Sequence, residues 1–139
     1  MVTKVIWTDK LSFIGTGEND FTVPLDAETA VGGENGGFKP MELIAIGLAG
    51  CTAMDTISIL KKKRQDITAF QVQVHAELAL EIPKVFTHII LEYIVKGHNI
   101  DPAAVERSIE LSANKYCPAQ AMLSKACKIE QIYSIIEAD

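Results

Sequence analysis

Short stretches rich in β-branched and aromatic residues open the chain, separated by polar and glycine-containing breaks. They cover residues 2–8, 11–14 and 21–25. Such stretches are typical of strands, so the pattern predicts a meander of about three strands. The glycine-rich segment that follows, GGENGG at residues 32–37, predicts a mobile loop.

A long stretch without a helix breaker comes next. Pro40 suits the first position of a helix, and no residue that would stop the helix occurs before about residue 63. Apolar residues face every side of this helix between residues 43 and 54, whereas the cluster KKKR at residues 61–64 suits the negative C-terminal end of the helix dipole. The pattern therefore predicts one long helix with a buried middle and a solvated end.

Alternation of apolar and polar residues returns in residues 70–80, where the even-numbered positions are apolar. This period of two predicts a half-buried strand. A second β-rich run, residues 85–95, follows a break at Pro83. The two runs are therefore predicted to form an antiparallel hairpin.

Two helix starts and a last strand complete the chain. The pair Asp101-Pro102 provides an N-cap and a first-turn proline for a helix to about residue 116. The pair Cys117-Pro118 repeats this pattern for a helix over residues 119–126, and residues 128–136 are predicted to be the closing strand. The predicted order is β-β-β-α-β-β-α-α-β, which is an α+β fold.

The composition fits one soluble, folded domain that covers residues 1–139. Hydrophobic residues make up 48% and charged residues 22% of the chain, which excludes disorder and fibrous repeats. The net charge of −5 would repel a phosphate backbone, so nucleic acid is not expected as a partner. The longest uncharged stretch, residues 43–54, is too short to span a membrane, and the N-terminus lacks the pattern of a secretory signal. We therefore expect a cytoplasmic protein without a membrane segment.

Three cysteines, Cys51, Cys117 and Cys127, lie far apart in the sequence. An odd number at such spacings fits neither a disulfide scaffold nor a zinc site. The histidines lack the spacing of metal ligands, and the common dinucleotide- and phosphate-binding motifs do not occur. We expect free thiols, no metal and no cofactor.

Cys51 lies in the middle of the long predicted helix, which leaves two interpretations open. In apolar surroundings a cysteine is usually an inert, buried residue. Gly47 and Gly50 each destabilise a helix interior by about 1 kcal/mol relative to alanine, and they indicate that another backbone approaches this turn closely. Asp55, one turn further on the same face, opposes a thiolate at Cys51. A reactive Cys51 therefore requires Asp55 to be paired or turned away.

Cys117 precedes Pro118 at a predicted helix N-terminus, two residues after Lys115. The helix dipole and the free N–H groups favour an anion there, which predicts a thiol that ionises readily. A buried residue at a helix junction is the alternative. Cys127 has no cap or partner in the sequence and is predicted to be structural.

The segments PMEL at residues 40–43, the apolar helix that leads to Cys51, and KYCP at residues 115–118 resemble motifs of the OsmC/Ohr superfamily of thiol-dependent peroxide-reducing proteins. The resemblance extends over nearly the whole chain. It implies a fold with a long central helix and antiparallel sheets, and an intertwined homodimer with active sites at the subunit interface. It also implies that Cys51 is the peroxidatic cysteine and Cys117 the resolving cysteine.

The chain departs from the family pattern at the group that activates the thiol. Characterised members use an arginine of the N-terminal region, held by a glutamate near the start of the long helix. Here both arginines lie after the long helix, and the cations of the N-terminal region include Lys4, Lys10 and Lys39. By the form P-x-E-L, Glu42 matches the family's glutamate. The chain looks like a bacterial branch of OsmC-like proteins, and Asp55 is a candidate for a residue that distinguishes this branch.

Three functions remain open. The first is reduction of peroxides, organic hydroperoxides in particular, in which Cys51 becomes a sulfenic acid, forms a disulfide with Cys117 and is regenerated by an external dithiol. The second keeps the fold and the dimer but makes the interface pocket a binding site for an apolar small molecule. The third retains Cys51 as a nucleophile toward a sulfur or electrophilic substrate.

Overall fold

The computed structural model describes every residue from Met1 to Asp139 and contains six strands and three α-helices. The strands are β1 (Lys4–Asp9), β2 (Ser12–Thr16), β3 (Thr22–Leu25), β4 (Asp66–Leu78), β5 (Phe86–His98) and β6 (Lys128–Glu137). The helices are α1 (Pro40–Lys62), α2 (Pro102–Leu111) and α3 (Pro118–Leu123), with one π-helical turn, Ser112–Tyr116, between α2 and α3. The predicted order and the α+β class are confirmed.

Internal contacts divide the chain into two compact units, Met1–Ile44 and Ala45–Asp139. The single domain expected for residues 1–139 remains a prediction. In the first unit, β1, β2 and β3 form an antiparallel meander, as predicted.

The glycine-rich segment of the first unit is held by a buried carboxylate. Asp26 accepts hydrogen bonds from the Ser12 hydroxyl and from the backbone N–H groups of Ala27, Glu34 and Gly36. The N–H groups of Ala27 and then Gly36 hold the pKa of Asp26 below its ordinary value. The segment predicted as a mobile loop is thus organised around one side chain.

Two glycines of this segment are explained by close backbone approach. A Cβ at Gly33 would lie 2.0 Å from the carbonyl oxygen of Ala27, and one at Gly37 would lie 2.6 Å from the backbone of Pro24. Neither position has room for a side chain unless the backbone shifts. The glycine-rich composition therefore reflects tight packing of this turn.

The second unit contains a three-stranded sheet in the order β4-β5-β6. The hairpin of β4 and β5 is antiparallel, as predicted. β6 pairs with β5 in parallel, so the expectation of purely antiparallel sheets is wrong for this strand. The chain leaves β5 at His98 and crosses through α2, the π-helical turn and α3, which returns it to the end of the sheet where β5 begins.

The long helix α1 buries only one stripe of its surface. Leu48, Thr52, Thr56 and Leu60, spaced four residues apart, are buried. On other sides of the helix apolar residues remain exposed, including Met54, whose exposed fraction is 74%. The predicted burial of the whole middle is therefore wrong for a single chain.

The two helix glycines do not contact another backbone within the chain. A Cβ at Gly47 or Gly50 would meet nothing within 4 Å outside the local helix. The helix is also long and apolar enough to cross a membrane by length and composition, although the central helix of a soluble protein gives the same signal. The expectation of a protein without a membrane segment therefore remains a prediction.

The predicted caps of the shorter helices are present. The Asp101 side chain caps α2 by accepting from the N–H of Ala103, and Val105 and Ile109 of this helix are buried. Cys117 is the N-cap of α3. The helix predicted to continue to about residue 116 changes at Ser112 into the π-helical turn.

Candidate functional site

The structure brings Cys51 and Cys117 together, although 65 residues lie between them in the sequence. Both thiols are free, and Cys51 lies close enough to Cys117 to contribute to the raised pKa of the Cys117 thiol. Cys51 is half-buried and Cys117 is buried. Cys127 lies apart from them and directs its thiol to the carbonyl oxygen of Leu123, at 3.7 Å.

Burial decides the protonation of Cys117. Its sulfur accepts a hydrogen bond of 3.3 Å from the backbone N–H of Gln120, as expected at a helix N-terminus. Burial nevertheless raises the pKa of Cys117 to about 11, and the neighbouring Cys51 adds to the rise against the N–H groups of Gln120 and Ala119. The predicted easy ionisation is therefore wrong. The Lys115 ammonium lies over the Tyr116 ring, 5.2 Å from its centre.

A cluster of polar side chains lies beside the two thiols and connects five elements of the second unit. We call this set the polar cluster, and its members are Thr52 and Asp55 of α1, Tyr93 of β5, Ser112 of the π-helical turn, Gln120 of α3 and Gln131 of β6.

Thr52, the residue after Cys51, is the centre of the polar cluster. Its hydroxyl oxygen lies 2.8 Å from the Tyr93 hydroxyl and 2.8 Å from that of Ser112. The Gln120 amide donates to the same oxygen at 3.0 Å. Ser112 in turn donates to the Asp55 carboxylate at 3.0 Å.

Tyr93 connects the cluster to the sheet. Its hydroxyl donates to the Gln131 side-chain oxygen at 2.7 Å, and the Gln131 amide donates to the Gln120 oxygen at 2.7 Å. Burial raises the pKa of Tyr93 to about 12, so this hydroxyl stays protonated at neutral pH. No buried side-chain nitrogen or oxygen lacks a hydrogen-bond partner. Because every member is satisfied, the cluster fixes the elements that carry both thiols.

Of the polar cluster, only Asp55 was a candidate from the sequence. The available signal was the pair Thr52 and Thr56, which occupies the same helical stripe as Leu48 and Leu60. Two hydroxyls on a buried stripe require partners, because an unpaired buried polar group is destabilising. That requirement predicts polar residues opposite α1, but it does not say which ones.

The structure places the two predicted carboxylates differently. The Asp55 carboxylate accepts a hydrogen bond from the Ser112 hydroxyl, a neutral group that leaves its charge in place, so its opposition to a Cys51 thiolate remains a prediction. Asp55 also lines a cavity of about 340 Å³ together with Lys62 and Tyr116. Glu42 belongs to the first unit, where it accepts from the backbone N–H of Lys39 at 2.9 Å at the start of α1. Its catalytic role remains a prediction.

The histidines form pairs with carboxylates across the second sheet. The distances are 2.8 Å for His75 and Glu92, 3.0 Å for His88 and Glu130, and 3.0 Å for His98 and Asp66. No group of three or more histidine, cysteine or acidic side chains is arranged to hold a metal ion. These pairs are therefore interpreted as contacts between neighbouring strands.

Comparisons with known proteins agree with this architecture. The family model described as OsmC-like protein matches residues 33–131. The chain is 38% identical over 141 residues to Protein YhfA of Escherichia coli strain K12, covering 99% of this chain and 100% of that protein.

Two solved structures share the fold at low sequence identity. A hypothetical protein from Aquifex aeolicus VF5 is 22% identical with a TM-score of 0.87, covering 99% of this chain and 97% of that one. An organic hydroperoxide resistance protein OsmC from Legionella pneumophila, also described as a predicted redox protein, is 14% identical with a TM-score of 0.70, covering 96% and 95%.

Proposed function

Because the chain belongs to the OsmC-like protein family, we propose that it reduces peroxides through Cys51 and Cys117. The observation that carries the proposal is the proximity of two free thiols that are distant in sequence. Cys51 is only partly buried and can meet a substrate, whereas Cys117 is buried beside it. This arrangement suits one cysteine that attacks and a second that closes a disulfide.

Each step of the reaction balances without a cofactor. The Cys51 thiolate attacks a peroxide oxygen, the O–O bond breaks, and the departing alkoxide takes up a proton and leaves as an alcohol. Cys51 becomes a sulfenic acid. The Cys117 sulfur then attacks the Cys51 sulfur and the S–O bond breaks. Cys117 attacks as a thiolate that has given its proton to solvent, the leaving hydroxide takes a proton back from solvent and forms water, and an external dithiol reduces the disulfide.

We propose organic hydroperoxides as the preferred substrates. Ile46 and Met54, which flank Cys51 on α1, are exposed and offer apolar surface to an alkyl group. Leu48 of the same helix is buried and does not offer this surface. The Legionella pneumophila protein of the same fold is described as an organic hydroperoxide resistance protein, which agrees with this choice.

The test is to map the products of one oxidation. Reduced protein is treated with one equivalent of an alkyl hydroperoxide, or of hydrogen peroxide in a parallel sample, and analysed by mass spectrometry. We expect a Cys51–Cys117 disulfide with Cys127 still open to alkylation, formed faster with the alkyl hydroperoxide. If Cys51 and Cys117 stay unbridged and equally alkylatable, the proposal is wrong and a binding function for an apolar molecule takes its place.

We also propose that the protein is a homodimer in the cytoplasm, where free thiols stay reduced. The support is the exposed apolar surface of α1, with Ile46 and Met54 beside Gly47 and Gly50, two glycines that nothing in the chain approaches. A second copy packed against this face would place Ile46 and Met54 at the edge of a subunit interface, where the family resemblance expects the active site. Light scattering at micromolar concentration should give a mass of about 30 kDa, twice the 15.2 kDa of the chain. A mass of one chain would overturn the dimer.

A further inference from the structure

We propose that Gln120 is a positioning residue for Cys117, because its side-chain amide holds the start of α3 against α1 and so keeps the Cys117 thiol within reach of Cys51. The inference rests on the proposed function and specifies how its disulfide-forming step is organised.

Gln120 is the only residue of α3 that can tie this helix to other elements by a side-chain hydrogen bond. The six residues of the helix are PAQAML, and all the others have apolar side chains. The Gln120 side chain is nearly inaccessible to solvent, with 3% of the residue exposed. A helix of this length has little other means of holding its orientation.

The amide of Gln120 contacts side chains of three other elements, including the Tyr93 hydroxyl of β5 at 3.4 Å. It donates to the Thr52 hydroxyl at 3.0 Å, directly after Cys51 in α1, and it accepts from the Gln131 amide of β6 at 2.7 Å. Its backbone N–H donates to the Cys117 sulfur at 3.3 Å. One residue therefore contacts the resolving thiol and the helix turn that carries the attacking thiol.

Disulfide formation is sensitive to this arrangement. The bond requires the two Cβ atoms to approach within about 3.5–4.5 Å. A misplacement of about 1 Å between reacting groups can slow a reaction by about a hundredfold. The attack of Cys51 on peroxide, by contrast, does not involve Cys117. Loss of the Gln120 amide should therefore slow the second step and leave the first unchanged.

The variant Gln120→Met separates the side-chain role from the backbone role. Methionine has a similar length and keeps the N–H that contacts Cys117, but it removes the amide contacts with Thr52, Tyr93 and Gln131. With one equivalent of alkyl hydroperoxide, we expect sulfenic acid at Cys51 to form within about twofold of the wild-type rate. The disulfide should form at least about tenfold more slowly. The matched control is Gln73→Met, on the exposed side of β4, which should change neither rate.

The variant Gln120→Glu provides a readout that a general loss of stability would not give. An ionised glutamate still accepts from Gln131 but cannot donate to Thr52, whereas a protonated one can do both. The ratio of the disulfide rate of Gln120→Glu to that of the wild type at the same pH should therefore rise as the pH falls from 8 to 5. A ratio that does not change with pH would contradict the assigned contact.

The two proposals fail in different ways. If wild-type Cys51 is not oxidised by peroxide at all, the proposed function is wrong. If the wild type forms the disulfide and folded Gln120→Met forms it equally fast, the proposed function stands and the positioning role of Gln120 is wrong.

Discussion

Cys51→Ser should lose peroxide reduction almost completely, whereas Cys117→Ser should retain the first oxidation. The thiolate is the attacking group, and a serine hydroxyl is a far weaker nucleophile at neutral pH, so we expect a loss of at least about a thousandfold for Cys51→Ser. In Cys117→Ser the sulfenic acid at Cys51 has no neighbouring thiol to react with and should accumulate. The measurement is consumption of an alkyl hydroperoxide, combined with trapping of the sulfenic acid.

Cys127→Ser is the matched control, because Cys127 lies apart from the other two thiols and contacts Leu123. It should behave as the wild type. A Cys51→Ser variant that still reduces peroxide would show that another group attacks. Equal loss in both variants at the first oxidation would show that Cys117 takes part before the disulfide step, against the assigned order.

The sequence predicted the elements well and their direction less well. The caps at Asp101 and Cys117 and the proline of the long helix are local signals, so the helix starts were predicted correctly. The parallel pairing of β6 was missed because the direction of a strand depends on the crossover before it, which alternation of residues does not encode. The exposed side of α1 was missed because an apolar surface does not reveal what covers it.

The candidate site shows the same division. The family motifs pointed to Cys51 and Cys117, but only the tertiary fold brings these two thiols together. Of the two interpretations of Cys117, easy ionisation is wrong and a buried residue at a helix junction is right, because the helix N-terminus is visible in the sequence whereas the extent of burial depends on the tertiary fold. Gln120, which contacts Cys117 through its backbone and Thr52 through its side chain, was missed. No pattern in the sequence distinguishes a single buried glutamine of a short helix from an exposed one.

Formation of the disulfide should accelerate steeply with pH. Cys117 attacks as a thiolate, and burial raises its pKa to about 11, so its thiolate is a small fraction between pH 7 and pH 9 and grows about tenfold for each pH unit. The step should therefore speed up about tenfold for each pH unit, or about a hundredfold between pH 7 and pH 9. The measurement is acid-quenched mass spectrometry after one equivalent of alkyl hydroperoxide has converted Cys51 to the sulfenic acid.

The pH range for measuring this disulfide rate ends near pH 9, because the raised pKa of Cys117 also lowers the stability of the fold above that pH. Above the ordinary thiol value of 9.0 the unfolded chain loses the Cys117 proton while the native chain keeps it. The contribution of the protonated Cys117 thiol to the free energy of unfolding is therefore fully present below pH 9 and is lost as the pH rises toward about 11. The Cys127→Ser variant should give the same profile, since Cys127 does not attack Cys51. A disulfide rate that is constant from pH 7 to pH 9 would mean that Cys117 is already ionised at neutral pH. It would contradict the claim that burial raises the pKa of this thiol.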